Sequence, residues 1–529
     1  MDMALVTPAR QHTYLFNKLD RTHRLLGLSC LLLMCHSPAL SAASPAPDGV
    51  LVTTQAHFRL TYEDVSLPQG ESMGFLGGGY LYDINDRIAL GPAAYGTISG
   101  ERGGFITLGG AAAFRQPLGT QYEANAGLFV GAGGGRGGYT LSGGGLMLRY
   151  HLGVKYKTDD FGHFGLGISY LDFPDGAIHS TQPYLSYEYP FRTLISSGWI
   201  ARTGSQGESA GSPHELAPVY MSYTVPSGVL ADDGSEQHNR INLVGLEWNK
   251  YLNHNLFLHT EAEGAMGGQS NGYMQILLGG GYRVPLGSST ALKLTAAAGV
   301  AGGGNVATGG GLILDSSLAL QQKLTRKLYI EAGAGYVTAP DGDFEAYSVE
   351  AKLGYAFNTP FVGGNRTQLS MSALDGYEPA HFRIRTTHQA YLKADPNWRS
   401  HHNDLNVDNL GIQMDAFITD NLFLTGQGIA AYSGNAGAYM AGLLGTGIHL
   451  PLSGTPLFID GEILAGAAGG GGLAVGGGLV WQSNLGLGYQ LTDNFSVIAQ
   501  YGYMAAPEGD FKADVVTLSL GYNFTFYTK

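Results

Sequence analysis

Beyond residue 35 the 529-residue chain has no cysteine, because its only two, Cys30 and Cys35, sit in an apolar stretch near the start. That excludes disulfides, thiol catalysis and thiolate metal ligands from everything downstream. Charge is scarce too: Asp, Glu, Lys and Arg make up 13% of residues, against ~25% in soluble globular proteins. The net charge of −13, with no basic stripe, excludes nucleic acid as a partner. After residue 43 there is no run of 18 or more apolar residues, so no membrane-spanning helix is expected.

What the chain has in excess is glycine, 82 residues, roughly twice the usual ~7% share. No triplet period suggests collagen, and 44% hydrophobic residues are too many for a disordered chain. The glycines cluster in "AGGGRGGYTLSGGGLML", "AGGGNVATGGGLIL" and "AAGGGGLAVGGGLVW". Glycine loses more freedom on folding than any other residue, so such clusters imply a demand made by the backbone.

Residues 1–43 read as an export leader. Arg21 and Arg24 precede an apolar core, and Ser41, Ala42 and Ala43 offer a small-residue cleavage site. The remainder is a triplicated unit. Pro117, Pro285 and Pro451 recur at spacings of 168 and 166, and Pro174, Pro340 and Pro507 at 166 and 167. The second glycine triplets end in the same register, at Gly145, Gly311 and Gly478. Repeats are expected over 50–191, 218–357 and 380–529, joined by linkers 192–217 and 358–379.

Within each repeat the hydrophobic period is 2. In "VTLSLGYNFTF", Val516, Leu518, Leu520, Tyr522, Phe524 and Phe526 share one face, and Thr517, Ser519, Gly521, Asn523 and Thr525 the other. Turn signals divide each repeat into about eight strands, with short turns at one end and loops that vary between copies at the other. Together these predict an all-β fold, a transmembrane antiparallel barrel.

The stretch "SLGYNFTF" resembles the C-terminal assembly signal of Gram-negative outer-membrane β-barrel proteins, with Ser519, Gly521, Phe524 and Phe526 in its positions. Three residues follow the final Phe, which often ends such chains. The resemblance implies an outer-membrane location, contact with outer-membrane lipid and recognition by the barrel-assembly machinery. Two architectures remain: one barrel of about 24 strands, which is favoured, or three eight-stranded barrels in tandem. The decay of the signal in the first repeat ("SYEYPF", with Glu188 and Pro190) favours one barrel, and the long linkers speak for three. The glycine hairpins are expected to curve a barrel corner, to bend sharply, or to lie against a partner or a neighbouring repeat.

For chemistry, "LFLHTEAEG" puts His259, Glu261 and Glu263 on one face, the expected lumen. A His beside two carboxylates suits acid–base work or a metal. The third repeat has Thr425, Gln427 and Ile429 there, so the set reads instead as tuning of lumen charge. Glu123, Lys293, Asp460 and Glu462 are further lumen-lining candidates on the polar faces of fifth strands. In "NWRSHHND", His401, His402 and Asp404 read as a solvated loop. No catalytic motif is present, so no enzyme activity, cofactor or metal is expected. The expected function is a channel or translocation pore, with a periplasmic or plugging partner at the glycine hairpins. The alternative is a non-conducting structural or surface-binding barrel.

Overall fold

The computed structural model describes residues 50–158, 161–200, 211–362, 368–393 and 396–529. The expected leader, both cysteines and the turn residues Asp159 and Asp160 lie outside the described residues, as does 201–210 of the expected tether.

Each repeat forms eight antiparallel strands. In the first these are Thr54–Ser66, Ser72–Asp83, Ile88–Gly100, Ile106–Pro117, Tyr122–Gly134, Leu146–Lys157, His163–Asp172 and His179–Thr193. The middle repeat has Gly211–Thr224, Arg240–Tyr251, Leu256–Gly267, Met274–Pro285, Thr290–Gly302, Leu312–Lys323, Leu328–Thr338 and Glu345–Pro360. The last has Glu378–Lys393, Val407–Phe417, Leu422–Ser433, Met440–Pro451, Leu457–Gly469, Leu479–Gln490, Phe495–Ala505 and Lys512–Thr528. The middle barrel's first strand thus begins inside the stretch expected as linker.

In every repeat the first strand pairs with its own eighth strand, at Thr61↔Ser186, Val219↔Lys352 and Thr386↔Leu520. The chain is therefore three closed eight-stranded barrels, and the single barrel of about 24 strands favoured from sequence is not formed. The physical reason lies in the lumens. Ion pairs such as Arg149–Glu63, Lys293–Glu215 and Arg385–Glu462 join strands of one repeat that are not neighbours in its sheet, across a narrow interior that a wide barrel would leave open. Glu188, paired with Arg59 inside the first barrel, is accordingly a lumen ligand rather than a decayed signal position.

Sequence sets the short turns directly. After each second strand, a side-chain oxygen of Asn85, Asn253 or Thr419 accepts backbone N–H groups two and three residues on. These turns and the linkers occupy one rim, and the loops after odd-numbered strands occupy the other. Ile195–Ser197, from the first linker, pairs with Phe524–Phe526. It covers the edge of the last strand beyond Tyr522, where pairing with the seventh strand stops.

The barrels pack in a ring, the third strand of each against the fifth of the next. Small residues allow the approach: Gly96 faces Val300, Gly264 faces Ala467, and Ala430 shares a buried cluster with Ala132. The glycine loops complete the seams. Gly103 N–H donates to Gly309 O (2.9 Å) and Gly104 N–H to Ala301 O (3.0 Å), joining the first and middle barrels. Asn271 Nδ2 donates to Gly476 O (2.7 Å) between the middle and last, and Gly437 N–H to Gly143 O (3.1 Å) between the last and first. The glycine clusters are thus where neighbouring repeats meet backbone to backbone. At the rim Arg136 of the first barrel pairs with Asp232 of the middle one at 3.2 Å. Burial pushes the Asp232 carboxyl above the usual range, with Arg136 pulling the other way.

Candidate functional site

The chemistry of the molecule lies inside the barrels, where period-2 alternation sends every second side chain inward. Toward the loop rim each lumen is filled by apolar and aromatic groups. These are centred on Phe75, Phe105 and Phe129 in the first barrel, Tyr223, Tyr273 and Phe344 in the middle, and Tyr391, Trp398 and Phe511 in the last. Trp398 comes from the loop "NWRSHHND", read from sequence as solvated; its indole is fully buried and stacks on Phe511.

Below these plugs lie ionic networks. In the first barrel Glu188 takes Arg59 (2.8 Å), Lys155 (2.7 Å) and His57 (3.1 Å), while Arg149 reaches Glu63 at 2.6 Å. Glu123 is held by Lys157 at 2.5 Å. In the middle barrel Lys293 lies 2.9 Å from Glu331, 3.4 Å from Glu215 and 3.5 Å from Glu247. His259, Glu261 and Glu263 are all buried beside that cluster, with His259 Nε2 3.3 Å from Glu261. In the last barrel Arg383 contacts Asp415 (2.8 Å) and Asp460 (2.7 Å), and Arg385 contacts Asp415 (2.8 Å) and Glu462 (2.6 Å).

All seven lumen candidates therefore point into a barrel, but into three separate ones. The lumen cations Arg59, Arg149, Lys352, Arg383 and Arg385 were not among the sequence candidates; of these, Arg383 holds Asp460 and Arg385 holds Glu462. The signal for Arg59, Arg383 and Arg385 was present in "HFRLTYE" and "FRIRTTHQ", where the arginines occupy the inward phase of the first strands of the first and last barrels. Among the four residues that carry the resemblance to an assembly signal, Ser519 bonds Thr387 inside the last barrel (3.1 Å), and Gly521 leaves room for Arg383. Phe524 and Phe526 pack on Phe382.

The networks leave little space. The void between Arg59, Tyr95, Arg149 and His151 is about 10 Å³, room for one water at most. At the turn rim of the last barrel the linker residue Trp199 donates to Phe382 O and packs on Phe417 and His449.

This is the architecture of a closed all-β barrel protein in triplicate. No family model matches the sequence, and no curated relative matches it. Among solved structures, the chain is similar to the ferric enterobactin receptor PfeA of Pseudomonas aeruginosa (TM-score 0.26, 10% identity, covering 89% of this chain and 81% of that one). It is also similar to Pseudomonas aeruginosa OpdQ (TM-score 0.19, 11% identity, 90% and 98%) and to Neisserial surface protein A (TM-score 0.20, 12% identity, 28% and 98%). Likeness at this level carries no argument about function; the fold assignment rests on the strand pairing itself.

Proposed function

We propose that the chain is an integral outer-membrane protein, a covalently joined ring of three small barrels closed at rest, with its variable loops as the working surface. The observation that carries this reading is the inversion of polarity between wall and interior. Leu152, Leu166, Ile168, Val349, Leu353 and Ile463 stand exposed on the outside, while arginines, lysines and carboxylates fill the inside. Water would penalise such a wall, whereas lipid accepts it. Aromatic pairs mark both margins of the apolar band: Tyr122–Tyr156 and Phe164–Tyr187 toward the turns, Tyr336–Tyr347 and Trp481–Tyr503 toward the loops. Outer-membrane lipid and the barrel-assembly machinery are the partners this reading requires, the latter engaging the strand that carries Ser519, Gly521, Phe524 and Phe526.

A channel is the second reading, and the charged lining of the lumens favours it. Conduction would require pairs such as Arg385–Glu462 to part and the aromatic plug to move. Refolded protein in a planar bilayer tests both. The expected result is no large, stable conductance step from a correctly folded, heat-modifiable sample. Large steps abolished by blocking the loop rim would instead make the lumens pores and overturn the closed reading.

A further inference from the structure

Buried charge is not shared evenly among the barrels. In the first, Glu63, Glu123 and Glu188 each have an arginine or lysine partner. In the last, Asp415, Asp460 and Glu462 share Arg383 and Arg385. In the middle, four carboxylates (Glu215, Glu247, Glu331 and Glu350) already surround the two buried lysines, Lys293 and Lys352. Three more buried carboxylates, Glu261, Glu263 and Asp315, have no lysine or arginine within salt-bridge distance among the described residues. Oε1 of Glu261, Oε1 of Glu263 and Oδ2 of Asp315 accept no hydrogen bond there. Uncompensated buried anions are costly, a cost relieved by protonation or by a bound cation, and around His259 the side chains are arranged for the second.

The local hydrogen bonds say where that cation would sit. Asn249 Nδ2 donates to Glu247, which fixes the amide so that its Oδ1 faces His259 Nδ1 at 2.9 Å. His259 Nδ1 must then carry the proton, and Nε2 is the atom turned toward Glu261. Orientation of a histidine ligand through its other ring nitrogen is the usual outer support of a metal site. One donor atom from each of Glu247, His259 and Glu261 can be chosen so that all lie within 4.8 Å of one another.

We propose that Glu247, His259 and Glu261 bind a divalent transition-metal cation of the Zn²⁺ class inside the middle barrel. One imidazole nitrogen with carboxylate oxygens suits zinc better than calcium, which takes oxygen ligands alone. Glu247 is shared with both lysines, so His259 and Glu261 are the principal ligands. The other barrels serve as internal controls, since the last has Thr425 and Gln427 at the positions of His259 and Glu261. The site stands whether or not the loop face is the working surface.

The test is Zn²⁺ titration of the full refolded chain by calorimetry, with bound metal counted after gel filtration. One Zn²⁺ per chain is expected, with Ca²⁺ binding at least tenfold weaker. The paired substitutions His259→Gln and Glu261→Gln should weaken Zn²⁺ binding at least tenfold, and Gln427→Ala should leave it unchanged. Should the paired variant fail to fold, Co²⁺ added to the parent protein decides, because ligand-field bands of a nitrogen–oxygen site are expected. No bound metal in the folded parent, or undiminished uptake in the folded variant, overturns the proposal. The first of these outcomes would mean that His259 is an imidazolium paired with Glu261.

Discussion

Arg385→Ala is expected to destabilise the last barrel by about 3–5 kcal/mol, the cost of removing one partner from a buried ion pair. Arg385 is fully buried, and its guanidinium is shared by Asp415 at 2.8 Å and Glu462 at 2.6 Å. Arg383 would still hold Asp415, so the loss falls on Glu462. That carboxylate keeps its bonds from Gln413 (2.9 Å) and Asn484 (2.8 Å), but amides cannot replace a cation. Glu462→Gln should therefore cost less than Arg385→Ala. A glutamine there can still accept from Gln413 or Asn484, and Arg385 retains Asp415. Urea unfolding in micelles, followed by the heat-dependent shift in gel mobility, measures both variants. Equal and small losses, below about 1 kcal/mol, would show that water screens this lumen as it does a surface pair. The closed reading would then lose its main physical support.

The features legible in sequence were those carried by local pattern. The repeat, the strand count, the inward and outward phases of Lys512–Thr528 and the Asn or Thr turns all follow from neighbours a few residues apart. Closure was not legible, because an eighth strand offers the same backbone hydrogen bonds to its own first strand as to the next repeat's. Side chains far apart in sequence mark the choice, as when Arg59 meets Glu188 across 129 positions. Read alone, Glu188 looked like a lost glycine. The candidate site divides the same way. His259, Glu261 and Glu263 announce a shared face by their i, i+2 spacing, whereas Lys293 and Lys352 reach that lumen from other strands. The glycine clusters showed that the backbone had a requirement but not who imposed it, since the neighbour lies more than a whole repeat away.

That requirement predicts the second large effect. Gly104→Val is expected to open the seam between the first and middle barrels while leaving both barrels closed. Gly104 has φ +76°, and a Cβ there would lie 2.3 Å from Gly303 N and 2.4 Å from Gly302 C, backbone atoms of the next barrel that cannot swing aside. A left-handed conformation alone costs a residue with a Cβ about 1–2 kcal/mol. Overpacking adds about 1–3 kcal/mol, and separating the loops forfeits the Gly104–Ala301 hydrogen bond. Gly454→Val separates these effects, since Gly454 has the same φ of +76° with nothing within 4 Å of its would-be Cβ. It should show the strain without the separation. Spin labels on cysteines placed at Arg136 and Asp232, which face each other across this seam, report the distance directly. A short, narrow distribution is expected for the parent and for Gly454→Val, and a longer, broader one for Gly104→Val. Were Gly104→Val to leave the distribution unchanged, backbone contact would not be what joins the barrels. The glycines would then serve only the local turn, and the ring would be held by the small-residue strand contacts at Gly96 and Val300.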